Sequence, residues 1–247
     1  MIDVLEEVIV TPRRAFPRLP DLRVIERPGW LQIVTPSIKT GGLNEVLYSR
    51  LEPHSADATI AAAVATYREL GLKFRWNAGP GSGPTDLGDR LARQGLVQSW
   101  GRAMARSTHD AGEVGAFEVV EIDASTVADY THVMATGWEA DGAALRVQHQ
   151  HMLAEGRSYL FVVYCDGVPV AAGSYVAFAR SAFFKEGVVL TSHRGRGLYR
   201  ALVHARLVHA RARGIPLATS HAREATSAPI LEKLGFETVC RLPMYFG

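Results

Sequence analysis

The C-terminal half of the chain alternates between strand-like and helix-like patterns of apolar residues. The pair Asp166-Gly167 separates two of the apolar runs and is a strong hairpin signal. From Leu198 the pattern changes, because small and apolar residues recur at helical spacing until Gly214. We therefore predict antiparallel strands that lead directly into a long helix. The predicted strands span residues 159–164, 168–179 and 182–190.

Helices and short strands are predicted elsewhere in the chain. Prolines crowd the first forty residues, which predicts brief strands and turns there rather than helices. The sequence pattern as a whole predicts an α+β fold. Further helices are predicted at residues 57–70, 86–94, 123–136 and 142–154, and further strands at 72–76, 96–105 and 116–122.

The turn before the long helix combines two glycines with two arginines in Arg194-Gly195-Arg196-Gly197. Without Cβ atoms, backbone N–H groups converge there at the positive end of the helix dipole, which predicts a phosphate site. Neither a P-loop nor a dinucleotide fingerprint fits, because the chain has no Gly-Lys-Ser/Thr and Arg200 stands at the third glycine position. The alternative is a glycine-rich connection with solvated arginines.

Two motifs in this region resemble those of the GNAT superfamily of N-acetyltransferases. Residues 194–199 fit Arg-x-x-Gly-x-Gly/Ala except that Tyr199, in the first turn of the predicted helix, replaces the last small residue. Residues 233–236, Lys-Leu-Gly-Phe, resemble the motif that closes a later helix. The resemblance implies an α+β (α/β three-layer) fold with a mixed, mostly antiparallel sheet flanked by helices.

An internal repeat accompanies this resemblance. The order helix, glycine, strand, turn, helix, glycine, strand occurs in both halves, and Met104 and Met244 each follow a glycine by nine residues. We infer two tandem copies: residues 1–112 form a degenerate GNAT-like half and residues 113–247 the catalytic GNAT-like domain. The alternative is a coincidence of two generic α+β arrangements, since nothing like residues 194–197 precedes the N-terminal helix.

The resemblance also implies the binding mode of acetyl-CoA as co-substrate. The pantetheine is expected along Val188, Val189, Leu190 and Thr191, and Ser227 is expected either to bind CoA or to cap its helix. The diphosphate is expected on the loop and helix start, made of Arg194, Gly195, Arg196, Gly197, Leu198 and Tyr199.

The catalytic and acceptor residues are less clearly marked. The tyrosine that many GNAT members use as acid is replaced by Leu231. The titratable groups best placed to act as base are Glu186 and His221, and the alternative for each is an ordinary surface residue without a catalytic role. The residues expected to bind the acceptor amine lie between the helices at 123–136 and 142–154: Trp138, Glu139 and Asp141. The alternative interpretation is that the tryptophan anchors the core and the two acids are solvated.

Histidine spacing and composition exclude several other functions. His149 and His151 point to different faces of their helix, so we expect no metal and interpret both as surface or substrate-lining residues. Lys and Arg total 27 against 25 for Asp and Glu, which gives no net-charge argument for nucleic-acid binding. The two cysteines suggest no zinc site, and no window approaches a membrane span.

We therefore expect a cytoplasmic monomer or homodimer that acts on a small amine, without nucleic-acid or membrane partners. The mechanism implied by the resemblance is direct attack of the amine on acetyl-CoA in a ternary complex. The missing tyrosine and the degenerate half leave a second possibility, a non-catalytic acyl-CoA-binding or sensor module.

Overall fold

The computed structural model describes residues 2–39, 42–111 and 117–247. Its elements confirm the α+β prediction and follow the predicted order closely. The α-helices are α1 (Ala56–Glu69), α2 (Leu87–Arg93), α3 (Val127–Trp138), α4 (Gly142–Ala154), α5 (Leu198–Ala212) and α6 (Ser227–Lys233). The β-strands are β1 (Arg23–Arg27), β2 (Trp30–Val34), β3 (Glu45–Ser49), β4 (Arg75–Asn77), β5 (Val97–Ser107), β6 (Val119–Glu121), β7 (Ser158–Cys165), β8 (Val168–Ala177), β9 (Ser181–Val189), β10 (Leu217–Arg223) and β11 (Glu237–Phe246).

Contacts divide the chain into two compact units, neither of which is continuous in sequence. The first unit contains Met1–Pro17, Ala103–Ala222 and Thr226–Val239, and the second contains Arg18–Arg102, Arg223–Ala225 and Cys240–Gly247. The predicted boundary between residues 112 and 113 lies outside the described residues. A linear division of the sequence therefore stays a prediction, and each compact unit is built from three segments that are separate in the sequence.

The sheet of the first unit has helices on both faces. Its strands follow the order β10-β9-β8-β7-β6, antiparallel except for β9 and β10. Side chains alternate between faces along a strand. Phe161 and Val163 accordingly pack with Leu202 of α5, whereas Leu160 and Val162 pack with α3 and α4. This arrangement presents the N-terminus of α5 beside the end of β9.

The N-terminal segment of the first unit differs from its prediction. Residues Glu6–Val10 form a π-helical turn and Thr11–Arg14 a 3₁₀ turn, so the expectation of strands and turns alone was wrong. Pro12 is compatible with this arrangement because a proline in a first helical turn removes no intrahelical hydrogen bond. The buried carboxylate of Glu7 accepts hydrogen bonds from Arg180 and Ser181 and so fixes the segment in the unit.

The second unit contains strands β1 to β4 and has its own hydrophobic core. Strands β1 to β4 follow the chain order, with β3 and β4 parallel, and Met244–Phe246 of β11 pair antiparallel with β4. Ile60 and Tyr67 of α1 and Leu91 of α2 pack with Trp76 in a fully buried cluster. Each such buried apolar side chain stabilises the fold by about 1.5–3 kcal/mol.

Candidate active site

The loop before α5 forms an exposed helix N-terminus of the predicted kind. Gly195 and Gly197 have φ of 78° and 88°, a left-handed conformation that favours glycine over residues with a Cβ atom. Gly197 is the N-cap residue, and among the described residues no side chain caps the helix. The first N–H groups of α5 therefore have no acceptor within the helix. Because Arg194 and Arg196 are also exposed beside them, the loop is suited to bind an anion.

The first turn of α5 is anchored by two side chains. Leu198 is buried in the core, and Tyr199 lies half-buried against the backbone of Gly187 on β9. A Cβ atom added at Gly187 would lie 2.7 Å from Cε2 of Tyr199, so the glycine makes room for the ring. Tyr199 stands where the motif has a small residue, and Gly187 on the neighbouring strand leaves space for its ring.

Strands β9 and β10 separate beyond Phe184. Their parallel pairing joins residues 181–184 of β9 to residues 217–220 of β10, although β9 continues to Val189. In the described parts of the chain, the β9 edge that faces β10 has no strand partner after Phe184. An unpaired strand edge offers N–H and C=O groups to an extended ligand.

The four predicted pantetheine residues lie at the end of this edge. Val188 is buried and packs closely on Gly137 of α3, where an added Cβ atom would approach Cγ1 of Val188 to 2.2 Å. The carbonyl of Val189 accepts a hydrogen bond from Nε of Arg194 at 3.2 Å. Leu190 donates its N–H to the carbonyl of Val170, and Thr191 is exposed at the start of a 3₁₀ turn.

A β-bulge interrupts β9 where its edge opens. Ala172 pairs with Val188 and Ser174 with Lys185, so two residues of β9 face the single residue Gly173 of β8. One of these two residues, Glu186, has a φ of 57°, which is uncommon for a residue other than glycine. The bulge places one extra residue in β9 and disrupts the β8–β9 ladder at residues 186 and 187.

The side chain of Glu186 is the centre of a buried polar cluster. Its Oε2 accepts hydrogen bonds from the hydroxyls of Tyr130 at 3.0 Å and Ser174 at 2.9 Å, and its Oε1 lies 3.1 Å from Nζ of Lys185. Burial raises the pKa of the Glu186 carboxyl, but the Lys185 ammonium and the Ser174 hydroxyl outweigh it and leave the pKa below its ordinary value. We call Tyr130, Ser174, Lys185 and Glu186 the Glu186 cluster. It contains an ionised carboxylate on the α3 face of the sheet.

A buried histidine lies behind Tyr130. His149 is fully buried, so its interpretation as a surface or substrate-lining residue was wrong. Thr131 donates its hydroxyl to the carbonyl of Val127, which leaves its oxygen to accept from Nδ1 of His149 at 2.8 Å. Nε2 of His149 has no hydrogen-bond partner among the described residues, and burial lowers the pKa of His149 to about 4. The imidazole is therefore neutral at physiological pH.

The second predicted base, His221, lies on β10. Its Nε2 donates to the carbonyl of Val8 in the N-terminal segment at 2.7 Å, and its ring packs edge-on against Phe183. His221 therefore helps to hold the N-terminal segment in place through this hydrogen bond. Its role as a base stays a prediction.

A buried arginine supports the bulge from the α5 face. Nη1 of Arg206 donates to the carbonyls of Ser174 at 3.0 Å and Lys185 at 3.4 Å, and its guanidinium lies over the ring of Phe184. The described residues give it no carboxylate partner, and burial lowers its pKa while the nearby Tyr199 hydroxyl opposes that shift. Arg206 thus binds the backbone of both strands at one end of the bulge.

The predicted acceptor residues lie at the connection between α3 and α4. Glu139 is exposed and ends α3 in a left-handed conformation, and Trp138 is half-buried against the α3–α4 core. Asp141 caps α4, because its Oδ1 accepts from the N–H groups of Ala143 and Ala144. This hydrogen bonding gives Asp141 a structural role, and substrate binding by the three residues stays a prediction.

The region of α6 contributes less to the arrangement. Ser227 is the first residue of α6 rather than its cap, a position taken by Thr226. Leu231, which stands at the position of the acid tyrosine of many GNAT members, is buried in the core. Among the described residues, no group of three or more His, Cys, Asp or Glu side chains is placed to hold a metal ion.

Sequence reasoning missed several residues of this site, and one of them carries a recognisable signal. Arg206 continues the buried row of Leu198 and Leu202 at four-residue spacing on α5, so a charged residue stands on an apolar helix face. Tyr130, Ser174 and His149 carry no comparable signal, because their roles depend on the position of Glu186 in the bulge.

Comparisons with known proteins agree with this geometry. The sequence model of the acetyltransferase (GNAT) family matches residues 124–236, which contain the Glu186 cluster, the α5 loop and α6. No curated protein sequence matches the chain significantly. None of the described helices is long and apolar enough to span a membrane.

Solved structures resemble the whole chain at low sequence identity. A GCN5-related N-acetyltransferase from Kribbella flavida is 15% identical, with 98% of this chain and 93% of that chain covered and a TM-score of 0.69. A tandem GNAT protein from the clavulanic acid biosynthesis pathway is 16% identical, with 97% and 87% covered and a TM-score of 0.63. A functionally unknown conserved protein from Staphylococcus epidermidis is 12% identical, with 92% and 94% covered and a TM-score of 0.69. These similarities show a GNAT-like fold.

Proposed function

We propose, from the premise that residues 124–236 belong to the acetyltransferase (GNAT) family, that the protein transfers the acetyl group of acetyl-CoA to the amine of a small molecule. The transfer is a direct attack in a ternary complex. The observation that carries the proposal is the combination of an uncapped, arginine-flanked helix N-terminus with the unpaired edge of β9 beside it.

The residues present fit the binding of acetyl-CoA. Its diphosphate requires a concentrated set of N–H donors and positive charge, which the loop from Arg194 to Tyr199 supplies. Its pantetheine requires backbone partners, which Val188 to Thr191, at the end of the β9 edge, supply once Arg194 turns from the Val189 carbonyl to phosphate. Ser227 remains a candidate for a further hydrogen bond to CoA.

The bulge in β9 is the proposed reaction centre. Acetyl-CoA supplies a thioester whose carbonyl oxygen becomes negatively charged during attack. The ladder is disrupted at residues 186 and 187, and a backbone N–H at this bulge is the proposed donor that stabilises this charge. Arg206 supports this part of β9 by binding the backbone carbonyls of Ser174 and Lys185, which pair at one end of the bulge.

Glu186 is the proposed base. An amine must be neutral to attack, so its ammonium form has to lose a proton to a nearby acceptor. The ionised carboxylate of Glu186 lies at the bulge itself, whereas Nε2 of His221 already donates to Val8. We therefore favour Glu186 over His221. Trp138 and Glu139, at the α3–α4 connection, remain proposed contacts of the acceptor amine.

The N-terminal part of the chain is proposed to derive from a second, degenerate GNAT-like copy. The order strand, helix, strand, helix, strand occurs as β3-α1-β4-α2-β5 and again as β9-α5-β10-α6-β11. Similarity of fold to a tandem GNAT protein over most of both chains supports this view.

The alternative function is a non-catalytic acyl-CoA-binding or sensor module, favoured by the apolar Leu231 at the position expected for an acid. A panel of small amines incubated with acetyl-CoA and the full-length protein separates the two. We expect release of free thiol that depends on one class of amine. Tight acetyl-CoA binding without amine-dependent thiol release would instead establish the sensor, and absence of acetyl-CoA binding would overturn both.

A further inference from the structure

Lys185 occupies the place next to the proposed base where an acceptor amine belongs. Its Nζ lies 3.1 Å from Oε1 of Glu186, and the side chains of the two residues are 18% and 8% exposed. The two hydroxyls of the cluster bind the other oxygen, Oε2. The only cation that touches Oε1 in the described residues is thus the ammonium of the protein's own lysine.

The position of this ammonium has a chemical consequence. A base that accepts a proton from an acceptor ammonium must have that ammonium within hydrogen-bond distance, and Lys185 already satisfies this requirement. The lysine also precedes Glu186 in the bulge that faces the proposed acyl group, so its amine is held near the reaction centre at a high effective concentration.

We infer, on the basis of the proposed function, that Lys185 is itself an acetyl acceptor, so that the protein acetylates its own Nζ when no acceptor amine is bound. Glu186 Oε1 accepts the first proton from the Lys185 ammonium. The neutral amine forms the new N–C bond at the thioester carbonyl carbon, and the C–S bond breaks as the adduct collapses. The leaving sulfur takes the proton from Glu186, and the nitrogen releases its second proton to water. The products are N-acetyl-Lys185, free CoA thiol and one proton.

Acetylation of Lys185 would change the site. The ammonium is the strongest influence that opposes burial in setting the pKa of Glu186, and an amide carries no charge. The pKa of Glu186 should therefore rise, and the place beside Oε1 should become accessible to an external amine. Self-acetylation would thus convert a resting site into one that is open to substrate.

The small number of lysines makes the inference easy to test. The chain has four: Lys39, Lys73, Lys185 and Lys233. Lys185 is partly buried, whereas the other three are exposed. A reagent that acetylates lysines by simple collision, such as acetic anhydride, should therefore modify the other three first. Acetyl transfer directed by the site should reverse this order.

The experiment incubates the full-length protein with acetyl-CoA in the absence of amine and maps acetyl-lysine by mass spectrometry over time. We expect Lys185 to be modified first, with a rate constant that is unchanged on dilution of the protein because the reaction is intramolecular. Lys185→Arg should lose the modification, Lys233→Arg should keep it as the matched control, and Glu186→Gln should slow it strongly.

Two outcomes would overturn the inference. Modification of the exposed lysines at the same rate as Lys185 would indicate collisional acetylation by acetyl-CoA. A rate constant that falls on dilution of the protein would indicate transfer from one protein molecule to another. If amines are acetylated with turnover while Lys185 stays unmodified, the inference fails and the proposed function stands. If calorimetry detects no binding of acetyl-CoA, both fail together.

Discussion

A parallel strand pair of the first unit, β9–β10, and one of the second unit, β3–β4, differ at the C-terminal ends of β9 and β3. β9 and β10 separate after Phe184, and the edge of β9 is left without a strand partner in the described residues. In the second unit the corresponding position is filled, because Gly83 exchanges backbone hydrogen bonds with Ser49 and Leu51. Nε1 of Trp76 also donates to the hydroxyl of Ser49. The same succession of elements can thus leave a strand edge open or close it with its own chain.

The helices that follow these strands differ in charge. α5 begins after two glycines and two exposed arginines, whereas α1 begins at Ala56, after Glu52 and the N-cap residue Ser55, and carries Asp57 in its first turn. Acidic residues at a helix N-terminus occupy the place that an anionic ligand would take. A shared element order therefore does not imply a shared ligand, and the anion site is expected at α5 alone.

Buried carboxylates provide the sharpest contrast and the largest expected effect. Glu45 of the second unit joins β3 to β4 by accepting from Arg75 and Asn77, while Glu186 lies at an open edge. We expect Glu186→Gln to lower kcat by about 10²- to 10⁴-fold, because the amide cannot accept the amine's proton. The KM for acetyl-CoA should change little in steady-state assays.

Glu45→Gln is the matched control for that variant. Loss of its carboxylate weakens an ion pair that joins two strands, so the free energy of unfolding should fall while kcat is retained. Equal losses of kcat in both variants would mean that Glu186 acts only through stability, and full activity of Glu186→Gln would exclude it as the base.

Acid should weaken the first unit through His149. The pKa of this buried imidazole is about 4, against 6.5 for the ordinary side chain. Between these values the unfolded chain binds the proton more strongly, so the free energy of unfolding falls as pH decreases from about 6.5 to about 4, by at most about 3 kcal/mol. Hydrogen-exchange protection factors, corrected for intrinsic rates, should decrease in α3 and α4 more than in α1. In His149→Gln this pH dependence should be reduced, and an unchanged dependence would assign it to other groups.

The charge at the start of α5 should govern affinity for the co-substrate. A charge-assisted hydrogen bond contributes about 1.5–3 kcal/mol, so Arg194→Glu should raise the KM for acetyl-CoA by about 10- to 100-fold. The KM for the amine should change much less. Arg50→Glu, in the loop before α1, is the matched control, since Arg50 binds the carbonyl of Gly81 instead. Acetyl-CoA binding that is unchanged in Arg194→Glu would contradict the assignment of the loop.

The local parts of this site were predictable from the sequence. The glycines and arginines of residues 194–197 and the helical spacing after Leu198 lie within one continuous stretch, and their geometry depends mainly on backbone conformation and the helix dipole. The start of α5 and its end before Gly214 were accordingly predicted to within a few residues.

The non-local parts were not predictable in the same way. The bulge at Glu186 arises only when β9 pairs with β8, and the identity of its hydrogen-bond partners depends on how α3 packs on the sheet. His149 stands in a helix whose polar residues give no indication of which face is buried. Because tertiary contacts decide such positions, the sequence identified Glu186 as a candidate without indicating Tyr130, Ser174 or Lys185 as its partners.

The close packing of Tyr199 on Gly187 should be sensitive to a single methyl group. Gly187→Ala would place Cβ 2.7 Å from the ring, and overpacking of this kind costs about 1–3 kcal/mol. We expect lower thermal stability together with a higher KM for acetyl-CoA, because the ring belongs to the first turn of α5. Adding Tyr199→Ala, which restores the small residue of the motif, should recover both properties. Failure of the double variant to recover would show that the ring is not the obstacle.

The smallest expected effect separates a capping role from a binding role at Asp141. Its carboxylate accepts from the N–H groups of Ala143 and Ala144, so Asp141→Ala should cost about 1 kcal/mol of stability. Ser55→Ala at the N-cap of α1 is the matched control and should cost less, because Ser55 makes no side-chain cap hydrogen bond and its hydroxyl donates to the carbonyl of Glu52 instead. If Asp141 serves only as a cap, the KM for the amine should be the same in Asp141→Ala and the wild type once both are folded. A selective rise of that KM would instead place a substrate group at the start of α4, and would extend the acceptor site from the Glu186 cluster to the α3–α4 connection.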